Sequence, residues 1–270
     1  MATILESIFG TRHPVVGVVH LLPLPGSPRW GGNLDRVLDR AVEDAKALKA
    51  GGAHGAILEN YGDLPFVPGN LEAATVAAMT AALRACVAAT HLPFGVNCLR
   101  NDPPSALAVA LAGGGLFVRT NVHTGAMVTD QGILQGRAAE TLRDRARLGA
   151  GHVAIFADIL VKHAAGFDAR DPRRAARDVV ERGLADAVLM TGSATGSRPD
   201  LREVALARDE MPDTPLLVAS GMEPLDLPVV AQLADGVIVG TSLKKGGKTA
   251  NPVDPARVKA LVKAAKRAWG

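Results

Sequence analysis

The chain has 270 residues, of which 48% are hydrophobic and only 3% aromatic, and its 30 Lys and Arg against 27 Asp and Glu give a formal net charge of +3. A chain of this length buries enough surface to fold without disulfides or a structural metal. Scarce aromatic residues and evenly spread charges argue against nucleic-acid binding. Cys86 and Cys98 form no CxxC pair, and no apolar run reaches the roughly 18 residues of a transmembrane helix. We therefore expect a cytoplasmic protein without an integral membrane segment.

Eight short apolar runs alternate with longer segments of helical periodicity. In chain order the runs span Val15–Val19, Gly55–Glu59, Phe94–Asn97, Leu116–Arg119, Val153–Asp158, Ala187–Met190, Leu216–Ala219 and Gly236–Val239. Each run is almost continuously hydrophobic, which is typical of parallel strands covered on both faces. Half-exposed antiparallel strands would instead alternate apolar and polar residues. These runs therefore predict eight parallel strands.

The segments between the runs predict eight helices. In the first, apolar residues from Leu34 to Leu48 fall at helical spacing, with Asn33 placed to cap the start and Gly51 to end the helix. The other seven span Asn70–Thr90, Pro104–Ala112, Gly136–Leu148, Pro172–Arg182, Pro199–Glu210, Pro224–Leu233 and Pro255–Trp269. Eight strand–helix units without a linker predict an α/β fold, a single (β/α)8 TIM-barrel domain over residues 1–270. A doubly wound sheet is the alternative, but the sequence after the first strand lacks the Gly-rich fingerprint of that fold.

In a TIM barrel the loops at the carboxyl ends of the strands carry function, so polar residues at those ends are the candidates. The candidate catalytic residues are His20, Glu59, His123, Asp158 and Lys162. The candidate substrate-binding residues are Asn97, Arg119, Asn121, Asp130, Thr191, Gly192, Ser220, Gly221, Gly240, Thr241 and Ser242. A divalent metal is an open alternative, and its ligands would be four of the catalytic candidates: His20, Glu59, His123 and Asp158. No HxH or HExxH spacing requires one, and no cofactor is otherwise assigned.

The two acids at strand ends, Glu59 and Asp158, are candidates for a general base, with a structural ion pair at the barrel rim as the alternative. Lys162, in the loop after Asp158, is a candidate Schiff-base amine, although a lysine in such a loop is more often an anion contact or a solvated side chain. The last three strands end instead in small Gly, Ser and Thr residues. Such residues let backbone N–H groups approach a phosphate, as the loops after strands seven and eight often do in TIM barrels. Lys244 and Lys245 follow the last of these loops, and tight turns are the alternative explanation for the small residues.

Two long loops lie at the predicted mouth of the barrel, at residues 21–32 and 120–136. The first contains three prolines and is expected to cover a ligand, plug the mouth or contact another subunit. The second is polar and too long for a simple connection, which favours a functional loop. Three of the few aromatic residues, Trp30, Tyr61 and Phe66, fall in loops at this mouth, where they could cover or orient a ligand.

Several long motifs point to a known family: GVVHLLPLPGSPRW, ENYGDLPF, NCLRND, RTNVHTGAMVTDQGILQG, IFADILVKHA, VLMTGSATGSRPDL and GVIVGTSLKKGGKTANPVDPARV. From about His13 to Val262 the chain resembles the BtpA family, which includes proteins called SgcQ. The resemblance implies a TIM-barrel-like protein and, in cyanobacteria, a factor for photosystem I biogenesis or stability. Members also occur in non-photosynthetic bacteria and archaea, some beside sugar-uptake genes, so photosystem assembly is not their common biochemical activity. The family brings no established catalytic residues.

Two classes of function follow from these observations. The first is an enzyme acting on a phosphorylated small molecule, a sugar phosphate or a nucleotide-derived compound, by general acid–base chemistry beside a carbonyl. Isomerases, epimerases and lyases share that chemistry, and a hydrolase remains open. The second is a non-catalytic assembly or stability factor that reuses the barrel. Titratable and amide residues at five strand ends favour the enzyme, and a homo-oligomer is expected.

Overall fold

The computed structural model describes residues 2–160, 164–166, 171–192 and 197–270 of the chain. The strands in this part are β1 (Val15–His20), β2 (Gly55–Glu59), β3 (Phe94–Asn97), β4 (Phe117–Thr120), β5 (Ala126–Thr129), β6 (Gly132–Gln135), β7 (Ala154–Ile159), β8 (Ala164–Gly166), β9 (Ala187–Thr191), β10 (Leu216–Ala219) and β11 (Gly236–Val239). Eight of them pair in parallel as a closed barrel, in the order β1-β11-β10-β9-β7-β4-β3-β2. The predicted TIM barrel is confirmed, and each predicted strand lies within one residue of an observed one at both ends.

Helices cover the outside of the barrel, except for the first, which lies at one end of it. They are α1 (Ile4–Phe9), α2 (Leu34–Ala50), α3 (Ala73–Thr90), α4 (Pro103–Gly113), α5 (Ala138–Arg147), α6 (Pro172–Arg177), α7 (Leu201–Glu210), α8 (Leu227–Val230) and α9 (Pro255–Ala268). The predicted cap is present, because Asn33 accepts a hydrogen bond from the Arg36 N–H at 2.9 Å. The predicted helix over 172–182 divides into α6 and a wider π-helical turn at Asp178–Arg182. The helix predicted over 224–233 is α-helical only in α8.

The barrel interior is packed by side chains, and α1, which the sequence did not predict, supplies part of it. Phe117 and Phe156 stack with ring centroids 4.5 Å apart, and Phe9 of α1 meets Phe117 edge-on at 5.5 Å. Gly95 admits the Phe117 ring, since a Cβ there would lie 2.2 Å from it. Because Leu5 and Ile8 join the same buried cluster, α1 fills one end of the barrel interior. The polar residues described below lie at the carboxyl ends of the strands.

Both long loops are ordered by hydrogen bonds. In the loop at 21–32, the Leu24 N–H donates to Asp63 at 2.8 Å and the Leu21 carbonyl accepts from the Gly62 N–H at 3.0 Å, which fastens this loop to the β2–α3 connection. The loop at 120–136 contains the antiparallel hairpin β5–β6, and β8 pairs with β5. The sequence signalled a functional loop here but not its strands. The short, partly exposed hairpin lacks the continuous apolar run by which the barrel strands were found.

One helix among the described residues, α3, is long and apolar enough to cross a membrane, with 18 residues and a mean hydropathy of 1.5. It packs on the barrel through a buried face that includes Met79, Leu83 and Cys86. Because a core helix of a barrel has the same composition, its length and hydropathy are weak evidence for a membrane span.

Candidate active site

Six of the sequence-predicted residues meet at or just beyond the carboxyl ends of neighbouring strands: His20, Glu59, Asn97, Arg119, Asn121 and Asp158. The parallel register places His20 opposite Glu59 and Glu59 opposite Asn97. Arg119 of β4 reaches both Glu59 and Asp158 of β7. All but His20 are buried, and the His20 side chain is itself only 9% exposed. The barrel therefore brings together residues that are far apart in the sequence.

Arg119 is the centre of this cluster. Its Nε and Nη2 donate to Asp158 Oδ2 and Oδ1 at 3.0 and 3.1 Å, and its Nη1 donates to Glu59 Oε1 at 3.3 Å. The arginine side chain is 3% exposed. Burial opposes its charge, but the two carboxylates outweigh burial and raise the pKa of Arg119. The guanidinium is therefore a fixed cation with a defined orientation.

The two carboxylates have different environments. Asp158 has a side-chain exposure of 0% and accepts two hydrogen bonds from Arg119 and a third from Asn121 Nδ2 at 3.1 Å. Glu59 uses Oε1 to accept from Arg119 and, at 3.0 Å, from Asn97 Nδ2. Its Oε2 lies 3.9 Å from His20 Nε2. Glu59 is thus the carboxylate with an oxygen available for chemistry, whereas Asp158 orients the arginine.

The cluster forms one wall of a cavity of about 450 Å³, which is within the usual range for small-molecule sites. Its described lining consists of Glu59, Tyr61, Leu64, Phe66, Asn97, Leu99, Arg100, Arg119, Asn121 and Asp130. The Tyr61 ring packs against His20 with centroids 4.8 Å apart and against Phe66 at 6.4 Å. The expectation that mouth aromatics adjoin the site is therefore met by these two residues. Trp30 packs on the hydrophobic core and does not line this cavity.

Arg100 is a cavity residue that the sequence analysis missed. It is 3% exposed, and its pKa is lowered, chiefly by burial and also by Arg119, against the opposing carboxylates Asp158, Asp130 and Glu59. Asp130 reaches the cavity from the turn between β5 and β6. The NCLRND motif just after β3 was the available signal, because it follows a strand end directly, but only its Asn97 was selected.

Small residues follow β9, β10 and β11, as predicted, but their side chains are occupied. Thr241 and Thr249 hydroxyls are 2.9 Å apart, and the Ser242 hydroxyl donates to the Met222 carbonyl at 2.7 Å. Gly240 lies against His20, since a Cβ there would be 2.9 Å from His20 Cε1. An anion at this loop would therefore be bound by backbone N–H groups.

The other small residues have backbone conformations or contacts that suit turns. Ser220 and Gly221 both have left-handed φ angles, of 77° and 64°. Gly192 packs closely against backbone, because a Cβ there would lie 2.3 Å from the Ser197 carbonyl oxygen, and Thr191 at the end of β9 is buried. None of these residues lines the cavity beside Glu59, so phosphate binding here remains a prediction.

Lys244 does not serve the anion site that the sequence suggested. Its ammonium is fully buried and donates to Asp44 of α2 at 2.9 Å. Burial lowers the pKa of Lys244, and Asp44 opposes that effect. The same carboxylate accepts from the Val253 N–H at 2.7 Å. This ion pair fastens α2 to the segment before α9, whereas Lys245 is exposed.

One of the predicted catalytic residues, His123, does not join the cluster. His123 is buried, with Nε2 2.8 Å from the Gly183 carbonyl oxygen, and its pKa is lowered chiefly by burial. Lys162 lies outside the described residues. The metal alternative receives no geometric support, since no group of three His, Cys, Asp or Glu suited to a metal occurs in the described part of the chain. Asp158 accepts hydrogen bonds from Arg119, and the His123 ring is hydrogen-bonded to the Gly183 carbonyl.

The closed barrel and the charged cavity at its strand ends define a TIM-barrel protein with a polar site at the end where barrel active sites lie. Residues 11–267 match the model of the BtpA family, and the chain belongs to that family. The photosystem I biogenesis protein BtpA of Synechocystis is 46% identical over 95% of this chain and 89% of its own. The putative sgc region protein SgcQ of Escherichia coli K12 is 32% identical over 94% of each chain.

Two solved structures show the same fold at low sequence identity. Thiamine phosphate pyrophosphorylase of Pyrococcus furiosus is 14% identical, with a TM-score of 0.61 over 96% of this chain and 98% of its own. N-(5'-phosphoribosyl)anthranilate isomerase of the same organism is 13% identical, with a TM-score of 0.57 over 94% and 99%. Both are named for phosphorylated compounds.

Proposed function

We propose that this protein is an enzyme that acts on a phosphorylated small molecule, a sugar phosphate or a nucleotide-derived compound, by general acid–base chemistry beside a carbonyl. The observation that carries the proposal is the placement of Glu59 at the cavity wall, with one oxygen held by Arg119 and Asn97 and the other 3.9 Å from His20. A carboxylate that is fixed through one oxygen and available through the other is suited to proton abstraction.

Four residues of the cluster have a role in that chemistry. Glu59 Oε2 takes the proton from the carbon next to the carbonyl, and negative charge develops on the carbonyl oxygen. Arg119 uses three of its five N–H groups on carboxylates, so its remaining N–H groups are available to stabilise that oxygen. Asp158 is a positioning residue that holds Arg119, and His20 is the partner acid. Isomerisation, epimerisation and retro-aldol cleavage can all proceed through such a step.

The phosphate is assigned to the loops after β10 and β11. Supporting observations are the left-handed Ser220-Gly221 turn and the side-chain-free Gly240 beside His20. TIM barrels bind phosphate at this place in many enzymes, and the two structural neighbours are named for phosphorylated compounds. Because those neighbours share only the fold, they support the substrate class and not a particular reaction.

A thermal-shift screen of sugar phosphates and nucleotides, with and without Mg²⁺, Mn²⁺ and Zn²⁺, tests the substrate class. A ligand at 100 times its Kd adds about 2.7 kcal/mol to the free energy of unfolding, which corresponds to roughly 5–11 °C in Tm for a chain of this size. If no phosphorylated compound raises the Tm, the proposal is wrong and a non-catalytic assembly factor becomes the better interpretation.

Proton exchange tests the assignment of the base. With a compound from the screen, NMR in D2O follows deuterium entering the carbon beside the carbonyl. Glu59→Gln keeps the side-chain shape but removes the base, and it should abolish exchange while the protein still binds the compound. Glu43→Gln is the matched control, since this glutamate lies on the exposed surface of α2. Exchange at the wild-type rate in Glu59→Gln would show that another group is the base.

A further inference from the structure

The charge of the cavity decides which part of a phosphorylated substrate it can hold. The described lining of the cavity contains two carboxylates, Glu59 and Asp130, and two guanidinium groups, Arg100 and Arg119. Arg119 already donates to the carboxylates of Glu59 and Asp158. With equal numbers of carboxylates and guanidinium groups, the described lining has no excess of positive charge with which to hold a strongly anionic group. A phosphate is therefore disfavoured inside this cavity.

Two amides at the cavity wall have defined orientations. The Nδ2 groups of Asn97 and Asn121 donate to the carboxylates of Glu59 and Asp158, and only the nitrogen end of an amide can do so. Each Oδ1 is therefore turned away from its carboxylate. Both residues are more than nine-tenths buried, and neither Oδ1 accepts a hydrogen bond from the described residues. A buried acceptor without a donor is destabilising, so we expect these oxygens to accept hydrogen bonds from O–H or N–H groups of a ligand.

Three acceptors are available at this wall, Asn97 Oδ1, Asn121 Oδ1 and Glu59 Oε2, beside the two N–H groups of Arg119 that are assigned to the carbonyl oxygen. Tyr61 and Phe66 add apolar ring surface next to them. A chain of carbon atoms bearing hydroxyl groups matches both features, because its O–H groups donate and its C–H groups pack on the rings. A carboxylate or a second phosphate would instead meet these three acceptors, to which it has no hydrogen to donate.

We propose that this cavity binds the uncharged, hydroxyl-bearing end of the substrate, a sugar or polyol chain whose hydroxyl groups donate to Asn97, Asn121 and Glu59. The phosphate lies outside the cavity, toward the loops after β10 and β11. The inference rests on the proposed function and makes it more specific: the substrate is a polyhydroxylated phosphate ester with a single anionic end.

Isothermal titration calorimetry with defined probes tests this inference. The probes are ribose 5-phosphate, glucose 6-phosphate, their 2-deoxy and 3-deoxy analogues, the free sugars and inorganic phosphate. At least one hydroxylated ester should bind about tenfold or more tightly than a deoxy analogue, because a site built to bond a hydroxyl group discriminates against its loss. In Asn97→Leu this ratio should fall toward one. Gln232→Leu, which alters an exposed amide outside the cavity, should keep it.

The outcomes separate the inference from the proposed function. Esters that bind as tightly as all their deoxy analogues would overturn the inference and leave the phosphate substrate standing. Free sugars that bind as tightly as their esters would support hydroxyl recognition and overturn the phosphate assignment. Binding by none of the probes would overturn the inference, and the thermal-shift screen decides separately whether the proposed function stands. If Asn97→Leu loses the near-UV circular dichroism of the wild type, that variant is not folded. The same comparison of esters and deoxy analogues is then made with Asn121→Leu, which removes the second amide.

Discussion

Replacing Arg119 by Met should destabilise the protein strongly, because it removes the guanidinium that donates hydrogen bonds to the buried carboxylates of both Glu59 and Asp158. Their side chains are 5% and 0% exposed, and Asp158 loses two of its three side-chain hydrogen bonds. Breaking a buried ion pair by removing one partner costs about 3–5 kcal/mol. Against a total stability of about 5–15 kcal/mol, this is a large fraction. We expect a fall in Tm of roughly 6–20 °C.

Urea unfolding followed by circular dichroism measures this loss, with Arg147→Met as the control. Arg147 also pairs with a carboxylate, Asp144, at 2.8 Å, but its side chain is 68% exposed, so its removal should cost less than about 1 kcal/mol. Arg119→Lys keeps the charge but loses the two-pronged contact with Asp158, and should lie between wild type and Arg119→Met. If Arg119→Met unfolds at the same urea concentration as Arg147→Met, the cluster is not the charged network described above.

Three further predictions concern groups around the barrel. Burial lowers the pKa of His123, so the stability that the neutral ring contributes is complete above the pKa of the unfolded chain, near 6.5, and declines as the pH falls below that value. The difference in unfolding free energy between wild type and His123→Asn, measured by urea titration, should therefore be smaller at pH 5 than at pH 7. A difference that stays constant would contradict this prediction. Lys244→Met removes the buried ammonium from Asp44, which keeps Arg40 at 3.4 Å and the Val253 N–H, and should cost about 3 kcal/mol, the lower end of the range for a broken buried pair. Lys245→Met, at an exposed position, should cost less than about 0.5 kcal/mol. Equal urea midpoints for the two variants would show that the buried pair is unimportant. Gly240→Ala places a Cβ 2.9 Å from His20 Cε1, and the displaced ring should slow proton exchange with little change in Tm, so unchanged exchange would remove His20 from the mechanism.

The positions of the barrel strands were predictable because the signals for them are local. A continuous apolar run such as Leu216–Ala219 is buried on both faces wherever it lies in the barrel, so its neighbours need not be known to identify it. The same holds for the Asn33 cap, which acts within one turn of helix. The α1 segment gave no comparable expectation, although its capping box is local, because its burial depends on the barrel end that it fills.

The sequence could not show which role each of the site residues has. Glu59, Arg119 and Asp158 were all predicted from their places at strand ends, but which carboxylate is saturated by donors is a property of the assembled site. Likewise nothing local distinguishes Lys244, which turns inward to an aspartate 200 residues away, from its exposed neighbour Lys245.

The sequence by itself determined the TIM barrel and the strand ends at which polar residues collect, because hydrophobic periodicity and strand order are encoded along the chain. The tertiary structure alone decided which of those side chains meet. Arg119 bonds to carboxylates 60 residues before it and 39 residues after it, and these contacts depend on barrel closure and register. The tertiary structure also places His123 outside the cluster and Arg100 in the cavity wall, because the direction of a side chain in a loop is set by the packing around it.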